Sequence, residues 1–420
     1  MTTPQEVTRR QAITAIAGTA LAAAGCSAQT RGTSASVRTN ASEFRGAWVA
    51  TVNNIDWPSA PGLTSAEQRL EVNRIVEKAA DIGLNAIFLQ VRPTADAIYP
   101  AADGSGVREP WSAFLTGASG RAPSHGYDPL EYWIERCRAN SIELHAWINP
   151  YRARHPRSIG RDAATHVTNL KPSIVRTYGP YKWLDPGLAE SREYILSVVE
   201  DLLRRYDVQG LHVDDYFYPY PRQGESFPDA ATHRRFGRGQ TLADWRRSNV
   251  DTLVQQLHET TRSIRPTAKF TISPFGIWRP DHPKGVKGLD AYNRIYADSR
   301  KWLREGWCDA MMPQLYWPTD SPGQPFAPLL DWWFDQRTTS NSPEIWPGLY
   351  LTRIKPNGES PSWEPGEITR QIDIIRERTA ARTGSGGGSL TPGFALFSMI
   401  GMTEDRRGVN AALKRTIAKR

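Results

Sequence analysis

Two adjacent aspartates, Asp214 and Asp215, end a short apolar run in the sequence Leu-His-Val-Asp-Asp-Tyr at residues 211–216. Cleavage of a glycosidic bond ordinarily requires one carboxylic acid that protonates the leaving oxygen and a second group that attacks the sugar or activates water. Neighbouring residues of a strand point to opposite faces, but the backbone turns where a strand ends, so both carboxylates can reach one cleft. The pKa of one of them would then be raised, which keeps a proton available near neutral pH. The alternative is that Asp214 stays inside the fold and only holds the strand end.

Further polar and aromatic residues stand at the ends of other predicted strands. Sugar hydroxyls require polar partners, and the faces of sugar rings pack on flat aromatic side chains. We therefore predict a carbohydrate cleft with Asp214 and Asp215 as catalytic residues and with these substrate-binding residues: Asp56, Gln90, Arg92, Trp147, Asn149, Tyr216, Trp278, Gln314, Tyr316 and Trp317. For Arg92 two roles are open, namely binding of a substrate carboxylate and an interior salt bridge to Asp214 or Asp215.

Eight short runs rich in β-branched and aromatic residues alternate with eight amphipathic segments, a pattern typical of βαβ units around a parallel sheet. The predicted strands are residues 46–52, 86–91, 144–148, 210–213, 270–273, 310–315, 346–351 and 393–397. The predicted helices are residues 66–82, 129–140, 189–206, 242–264, 297–305, 328–336, 367–382 and 407–417. The α/β pattern and the number eight favour a single-domain (β/α)8 TIM barrel, and an open doubly wound sheet is the alternative. In a barrel the site lies at the carboxyl ends of the strands.

The composition of the chain argues against nucleic-acid, metal and cofactor binding. The chain has 420 residues and a formal charge of +8, but its arginines are scattered and no dense basic run occurs away from the two ends. We therefore predict no nucleic-acid partner. The sequence lacks the Cys and His spacing of a metal site and the lysine of a phosphate loop, so no metal and no cofactor are predicted. His145 and His212 lie within predicted strands and are predicted to be core residues.

The first 26 residues have the pattern of a processing signal. Arg9 and Arg10 precede an apolar run at residues 12–24 that ends at Ala-Ala-Gly-Cys. This pattern is typical of a twin-arginine, lipoprotein-type signal with Cys26 as the lipidated residue. Ala23 stands where such signals usually carry Leu, so a plain cleaved signal or a retained N-terminal anchor are alternatives. We predict a signal at 1–26, a flexible linker at 27–42 and a hydrolase-like domain at 43–420, exported to the cell envelope and anchored to the membrane by lipid, facing the periplasm or the outer side.

Six groups of motifs occur in order along the chain at the predicted strand ends: Phe-Arg-Gly-Ala-Trp-Val-Ala-Thr-Val with Ile-Asp-Trp-Pro-Ser, Phe-Leu-Gln-Val-Arg-Pro, Ala-Trp-Ile-Asn-Pro-Tyr-Arg, Val-Asp-Asp-Tyr-Phe-Tyr-Pro, Ser-Pro-Phe-Gly-Ile-Trp-Arg and Pro-Gln-Leu-Tyr-Trp. Together they resemble the bacterial glycosyl hydrolase-like 10 family over residues 43–402. The resemblance implies a (β/α)8 hydrolase of the bacterial envelope, often a lipoprotein. It also implies a polysaccharide substrate, since some members digest peptidoglycan glycan strands that lack peptides.

Peptidoglycan sugars carry 2-acetamido groups, and in substrate-assisted glycosidases the acetamide oxygen replaces the enzyme nucleophile. Our hypothesis is that Asp214 orients the acetamide N–H while Asp215 protonates the leaving oxygen. Tyr316 and Asn149 would then steady the acetamide. The walls of the sugar site would be Trp147, Trp278 and Trp317.

Two other interpretations of the sequence are open. In one, Asp215 works with a carboxylate from another loop, such as Asp56, Asp96 or Glu225, as in ordinary retaining or inverting enzymes. In the other, the chain is a lipoprotein that binds wall glycan without cleaving it, because a fold does not guarantee an activity.

Overall fold

The computed structural model describes residues 43–101, 109–124, 126–383 and 390–419. The predicted signal segment, the linker and Cys26 lie outside the described residues. Within these ranges, nine parallel strands form one sheet: β1 (Phe44–Val49), β2 (Ala86–Arg92), β3 (Glu143–Ile148), β7 (Gly210–Val213), β8 (Lys269–Ile272), β9 (Ala310–Met311), β10 (Glu344–Ile345), β11 (Gly348–Leu349) and β12 (Gly393–Leu396). A second, antiparallel sheet contains β4 (Arg152–Arg154), β5 (Val175–Tyr178) and β6 (Tyr181–Leu184).

The large sheet curls so that its two ends meet. Its strand order is β10-β9-β8-β7-β3-β2-β1-β12-β11, and β10 and β11 are separated in the chain only by Trp346 and Pro347. The N–H of Gly348 in β11 donates to the carbonyl of Pro313, just beyond β9, at 2.9 Å. The segment that contains β10 and β11 therefore pairs with β9 on one side and with β12 on the other, which closes the barrel. The predicted (β/α)8 barrel is confirmed.

Alternation along the strands separates two apolar layers. One face of the barrel strands packs against the surrounding helices, and the other fills the barrel interior with large aromatic side chains. The interior cluster includes Phe44, Trp48, Phe88, Trp147 and Trp346. Residue 210 in β7 must be glycine, because a Cβ at that position would lie 2.1 Å from Nδ1 of His145.

The helices are α1 (Ser65–Ile82), α2 (Ala113–Thr116), α3 (Pro129–Ala139), α4 (Val167–Leu170), α5 (Ala189–Arg205), α6 (Ala230–Phe236), α7 (Leu242–Ile264), α8 (Ala291–Arg294), α9 (Ser299–Arg304), α10 (Phe326–Phe334), α11 (Pro365–Thr383), α12 (Ile400–Thr403) and α13 (Val409–Ala418). The eight predicted helices are confirmed. In α1 a capping box between Thr64 and Glu67 satisfies the first free N–H groups, and Gly83 ends the helix with a φ of 93°. No helix of the described part combines the length and apolarity needed to cross a membrane.

The small sheet is inserted between β3 and α5, so it stands at the carboxyl-end face of the barrel. None of the eight predicted strands covers these residues. Strands β5 and β6 form a hairpin in which Tyr178 lies opposite Tyr181. The two-residue turn between them contains Gly179, whose φ of 51° favours glycine.

Candidate active site

A cavity of about 300 Å³ lies at the carboxyl ends of the barrel strands. Seven residues of the predicted site line it: Gln90, Trp147, Asp214, Asp215, Tyr216, Gln314 and Tyr316. Ten residues that were not predicted also line it: Trp48, Ala50, Val52, Ile55, Arg152, His155, Tyr220, Ser273, Tyr350 and Phe397. The fold therefore brings the first seven together at one cleft, while their roles stay predictions.

Asp214 accepts three hydrogen bonds. Asn149 Nδ2 donates to its Oδ2 at 2.6 Å, Trp147 Nε1 donates to the same atom at 3.2 Å, and the backbone N–H of Tyr216 donates to Oδ1 at 3.2 Å. Burial raises the pKa of Asp214, whereas the charge of Arg152 and these donors act in the opposite direction. Donors on both oxygens favour an ionised carboxylate with a fixed orientation.

Asp215 has a different environment. The hydroxyl of Tyr220 donates to its Oδ2, and the side chain of Gln314 also hydrogen-bonds to it. Burial and, next, the negative charge of Asp214 raise the pKa of Asp215 to about 7, although the two hydrogen bonds oppose this rise. The carboxyl therefore carries a proton in a large fraction of molecules at neutral pH. Together the pair supplies one carboxylate and one carboxylic acid, the division of roles that acid catalysis needs.

Asn149 supports the pair from below. It was predicted to bind substrate, but it is fully buried and does not line the cavity. Its Oδ1 accepts hydrogen bonds from Gln90 Nε2 at 2.6 Å and from Arg152 Nη2 at 2.7 Å, which leaves its amide NH₂ to donate to Asp214. Gln90 is fixed in turn, because its Oε1 accepts from the N–H of Thr51 at 3.0 Å. Asn149 therefore contacts Asp214 from outside the cavity, and its role in binding substrate stays a prediction.

Aromatic residues from the last strands line another part of the cavity. Tyr316 stacks on Tyr350 with ring centroids 4.7 Å apart and an interplanar angle of 26°. Phe397 lies 6.0 Å from Tyr316. Burial raises the pKa of Tyr316 well above its ordinary value, so its hydroxyl stays protonated. These rings offer the flat apolar surface that a sugar face requires.

Trp48 lines the floor of the cavity and is held by a histidine of the barrel interior. Its Nε1 donates to Nε2 of His212 at 3.0 Å, and Nδ1 of His212 lies 2.8 Å from the hydroxyl of Thr271. Burial lowers the pKa of His212 well below its ordinary value. His212 is thus a neutral, hydrogen-bonded core residue, as predicted.

Arg92 does not reach the cavity. It is fully buried, its Nε lies 2.8 Å from both carboxylate oxygens of Glu109, and its Nη1 donates to the carbonyl of Asn149 at 2.7 Å. A buried guanidinium needs a buried carboxylate, and Glu109 rather than Asp214 or Asp215 supplies it. Arg92 therefore forms the interior salt bridge of the alternative, with Glu109 as its partner, and its contact with a substrate carboxylate stays a prediction.

Asp56 also lies away from the cavity. Its carboxylate accepts hydrogen bonds from the N–H of Ala50 at 2.8 Å, from the hydroxyl of Ser398 at 2.8 Å and from the N–H of Ile400 at 2.6 Å. Burial raises its pKa to about 6. Asp56 thus joins the segment after β1 to the segment after β12, and its role in substrate binding stays a prediction.

Two of the predicted sugar walls, Trp278 and Trp317, contact residues outside the cavity lining. Trp278 donates from Nε1 to Asp298 at 3.0 Å and stacks on Trp332 of α10 at 5.9 Å. Trp317 packs edge-on against Phe275 at 5.6 Å. Neither tryptophan lines the cavity. Both side chains are therefore held by residues outside the cavity lining, and their role as sugar walls stays a prediction.

The alternative carboxylate partners lie elsewhere. Asp96 is buried and accepts a hydrogen bond from Thr94 at 2.9 Å, and the exposed Glu225 pairs with Arg222 at 2.8 Å. Among the described residues that line the cavity, Asp214 and Asp215 are the only ones with a carboxylate. In the same part of the chain no group of three or more metal-ligating side chains occurs.

Some of the unpredicted lining residues had a signal in the sequence. Trp48 lies four residues after Phe44 in β1, so the period of two places both on the interior face. Arg152 and Tyr220 had no such signal, because they lie in segments after strands, where side-chain direction depends on the turn of the loop.

Comparisons with known proteins identify the family of this chain. The glycosyl hydrolase-like 10 family matches residues 43–364. Glycosyl hydrolase YngK of Bacillus subtilis (strain 168) is 38% identical over 380 residues, which cover 88% of this chain and 71% of YngK. Glycosyl hydrolase DigH of Escherichia coli (strain K12) is 31% identical over 366 residues, 81% of each chain.

A solved structure shows the same fold. The glycoside hydrolase domain of PgaB (BpsB) from Bordetella bronchiseptica superimposes with a TM-score of 0.54 at 13% identity, covering 90% of this chain and 99% of that domain. At this identity the similarity concerns the fold alone. The family match and the two relatives above 30% identity go further, and they show that this chain is a glycoside hydrolase that belongs to the glycosyl hydrolase-like 10 family.

Proposed function

We propose that this glycoside hydrolase cleaves a cell-envelope glycan of N-acetylated sugars, namely peptidoglycan strands that have lost their peptides, by a substrate-assisted mechanism. One observation carries the proposal: the cavity pairs an oriented carboxylate, Asp214, with a carboxyl of raised pKa, Asp215. A conventional two-carboxylate enzyme needs its nucleophile or base on another element, and no further carboxylate lines the cavity in the described ranges. An acetamide on the substrate would supply that missing group.

The proposed steps conserve atoms and charge. The acetamide carbonyl oxygen attacks the anomeric carbon as the glycosidic C–O bond breaks, and the proton of Asp215 passes to the leaving oxygen. Asp214 accepts a hydrogen bond from the acetamide N–H and stabilises the positive charge of the cyclic intermediate. Asp215, now ionised, removes a proton from the water that opens this intermediate. The product keeps the anomeric configuration of the substrate.

The test is incubation of the domain with defined peptide-free peptidoglycan strands, followed by product masses and NMR of the anomeric protons. We expect shorter strands that carry one added water per cleavage and retain the configuration. Anhydro ends would instead indicate a lytic enzyme, and inversion would indicate two carboxylates with a water between them. Retention on insoluble glycan without any cleavage of these strands would contradict the proposed substrate.

Tyr220→Phe should move the alkaline limb of the pH–rate profile. Asp215 must be protonated to act as the acid, so activity is present below its pKa of about 7 and is lost as the pH rises through that value. The Tyr220 hydroxyl stabilises the ionised carboxylate, so its removal raises the pKa of Asp215 further. We expect kcat/KM to fall at a pH higher by roughly one unit than in the wild type. An alkaline limb that stays in place or moves to lower pH would contradict this assignment.

We propose that residues 1–26 direct export and that Cys26 carries the lipid anchor. Cys26→Ala should release the protein from the membrane fraction and abolish labelling by radioactive palmitate, because the lipid is attached at this residue. Ser27→Ala, next to it, is the matched control and should change neither result. Unchanged labelling in Cys26→Ala would show that the anchor lies elsewhere.

A further inference from the structure

Arg152 and His155 give one wall of the cavity a pair of hydrogen-bond donors. Both residues line the cavity and belong to the segment that begins the small antiparallel sheet after β3. Around the barrel, Tyr316, Tyr350 and Phe397 lie in the segments that follow β9, β11 and β12, and these strands are several positions away from β3. The cavity therefore has an aromatic side and a side with Arg152 and His155.

A β-bulge explains why these two residues share a side. In the pairing of β4 with β6, Arg152 lies opposite Trp183 and Arg154 lies opposite Lys182, so three residues of β4 face two of β6. In a regular strand, positions 152 and 155 would point to opposite faces. The extra residue of a bulge shifts the alternation by one, which allows Arg152 and His155 to contact the same space.

Arg152 retains donors that the protein does not use. Its Nε donates to the carbonyl of Pro93 at 2.9 Å and its Nη2 to Asn149 at 2.7 Å. Its Nη1 donates no hydrogen bond to any residue in the described part of the chain. Arg152 as a whole is only 4% exposed, and its guanidinium carbon lies 5.1 Å from the centre of the Tyr216 ring, so its direction is fixed.

His155 has a defined tautomer. Its Nδ1 accepts a hydrogen bond from the backbone N–H of Arg157 at 3.1 Å, so the proton of the neutral ring is on Nε2. Burial and the neighbouring charges of Arg152 and Arg157 lower the pKa of His155 to about 4. At neutral pH His155 is therefore an uncharged donor through Nε2–H, beside one permanently charged guanidinium.

We propose that Arg152 and His155 bind a free carboxylate on the substrate, such as that of the lactyl ether of peptidoglycan sugars. This inference rests on the proposed function and makes it more specific. In strands that carry peptides, the lactyl group is joined to the peptide by an amide and has no negative charge. Two donors that match a carboxylate would thus select strands from which the peptide has been removed.

The experiment compares one soluble peptide-free oligosaccharide in two forms, with free lactyl carboxylates and after conversion of these to primary amides. Cleavage is measured as kcat/KM, and binding is measured by calorimetry in the Asp215→Asn background. We expect the wild type to prefer the free carboxylate by roughly 10- to 100-fold, which is the effect of a charge-assisted hydrogen bond. Arg152→Met should bring this ratio close to one, and His155→Phe should lower it more than His155→Gln, which keeps a donor.

The ratio isolates the contact with the carboxylate. Arg152 also holds Asn149, so Arg152→Met slows cleavage of both forms, but this loss cancels in the ratio. Arg161→Met is the matched control, because Arg161 is exposed in the same insertion and does not line the cavity. It should keep the full preference.

The outcomes separate the two proposals. Cleavage of both forms at equal rates by the wild type, or a preference that persists in Arg152→Met, would overturn the carboxylate site alone. If the wild type cuts neither form and Asp215→Asn binds neither, both this inference and the proposed substrate are wrong.

Discussion

Asp215→Asn is expected to lower kcat on peptide-free glycan by about 10²- to 10⁴-fold, the usual contribution of a general acid. Asparagine has nearly the shape of aspartate and can still hydrogen-bond to Tyr220 and Gln314, but it has no proton to give to the leaving oxygen. The measurement is release of reducing ends over time from purified protein whose circular dichroism and thermal melting match the wild type.

Glu225→Gln is the matched control for this result. Glu225 was an alternative catalytic partner, yet it is exposed on the loop after β7 and paired with Arg222. Its replacement should leave kcat within about twofold of the wild type, as for surface substitutions in general. Retained activity in Asp215→Asn combined with a large loss in Glu225→Gln would reverse the assignment of the acid.

Removal of the N-acetyl groups from the glycan is expected to reduce cleavage by at least about 10³-fold, because the internal nucleophile is then lost. On acetylated glycan, Asp214→Asn should lower kcat by about 10²- to 10³-fold, similar to the loss of one preorganised polar contact to a developing charge. Both rates are measured on matched strands before and after chemical deacetylation.

Measuring Asp214→Asn on deacetylated glycan tests the role of Asp214 more directly than either change alone. If Asp214 acts on the acetamide, Asp214→Asn should cause little further loss on deacetylated glycan, since two changes to one contact are not additive. An equal loss on both glycans would show that Asp214 serves another purpose, for example as a structural carboxylate at the end of β7. Rapid cleavage of deacetylated glycan by the wild type would exclude substrate assistance.

The barrel was predictable because its elements follow local rules. The hydrophobic period and the caps of helices such as α1 depend on neighbouring residues, so the sequence contains their signals. The small sheet β4–β6–β5 was not predicted. Its strands have three or four residues, too few for a clear alternation, and they pair through a bulge and a tight hairpin.

The site was predictable in its centre and less so at its edges. Asp214 and Asp215 end a strand, and both line the cavity. Arg92 and Arg152 each belong to one of the motifs at the predicted strand ends, and the sequence does not show which of them faces the cleft. The difference lies in Glu109, which is 17 residues from Arg92 in the chain and binds it in the interior. Contacts of this kind between loops have no periodic signal.

The strand pairing that closes the barrel determines where this protein can be truncated. Strand β12 pairs with β1 on one side and with β11 on the other, yet it begins at residue 393, after the family match ends at residue 364. A fragment cut at the family boundary would leave β1 and β11 with free edges, which invite pairing between molecules. It would also lose Phe397 from the cavity and two of the three hydrogen-bond partners of Asp56, Ser398 and Ile400. The barrel that carries the site therefore extends beyond the segment that matches the family.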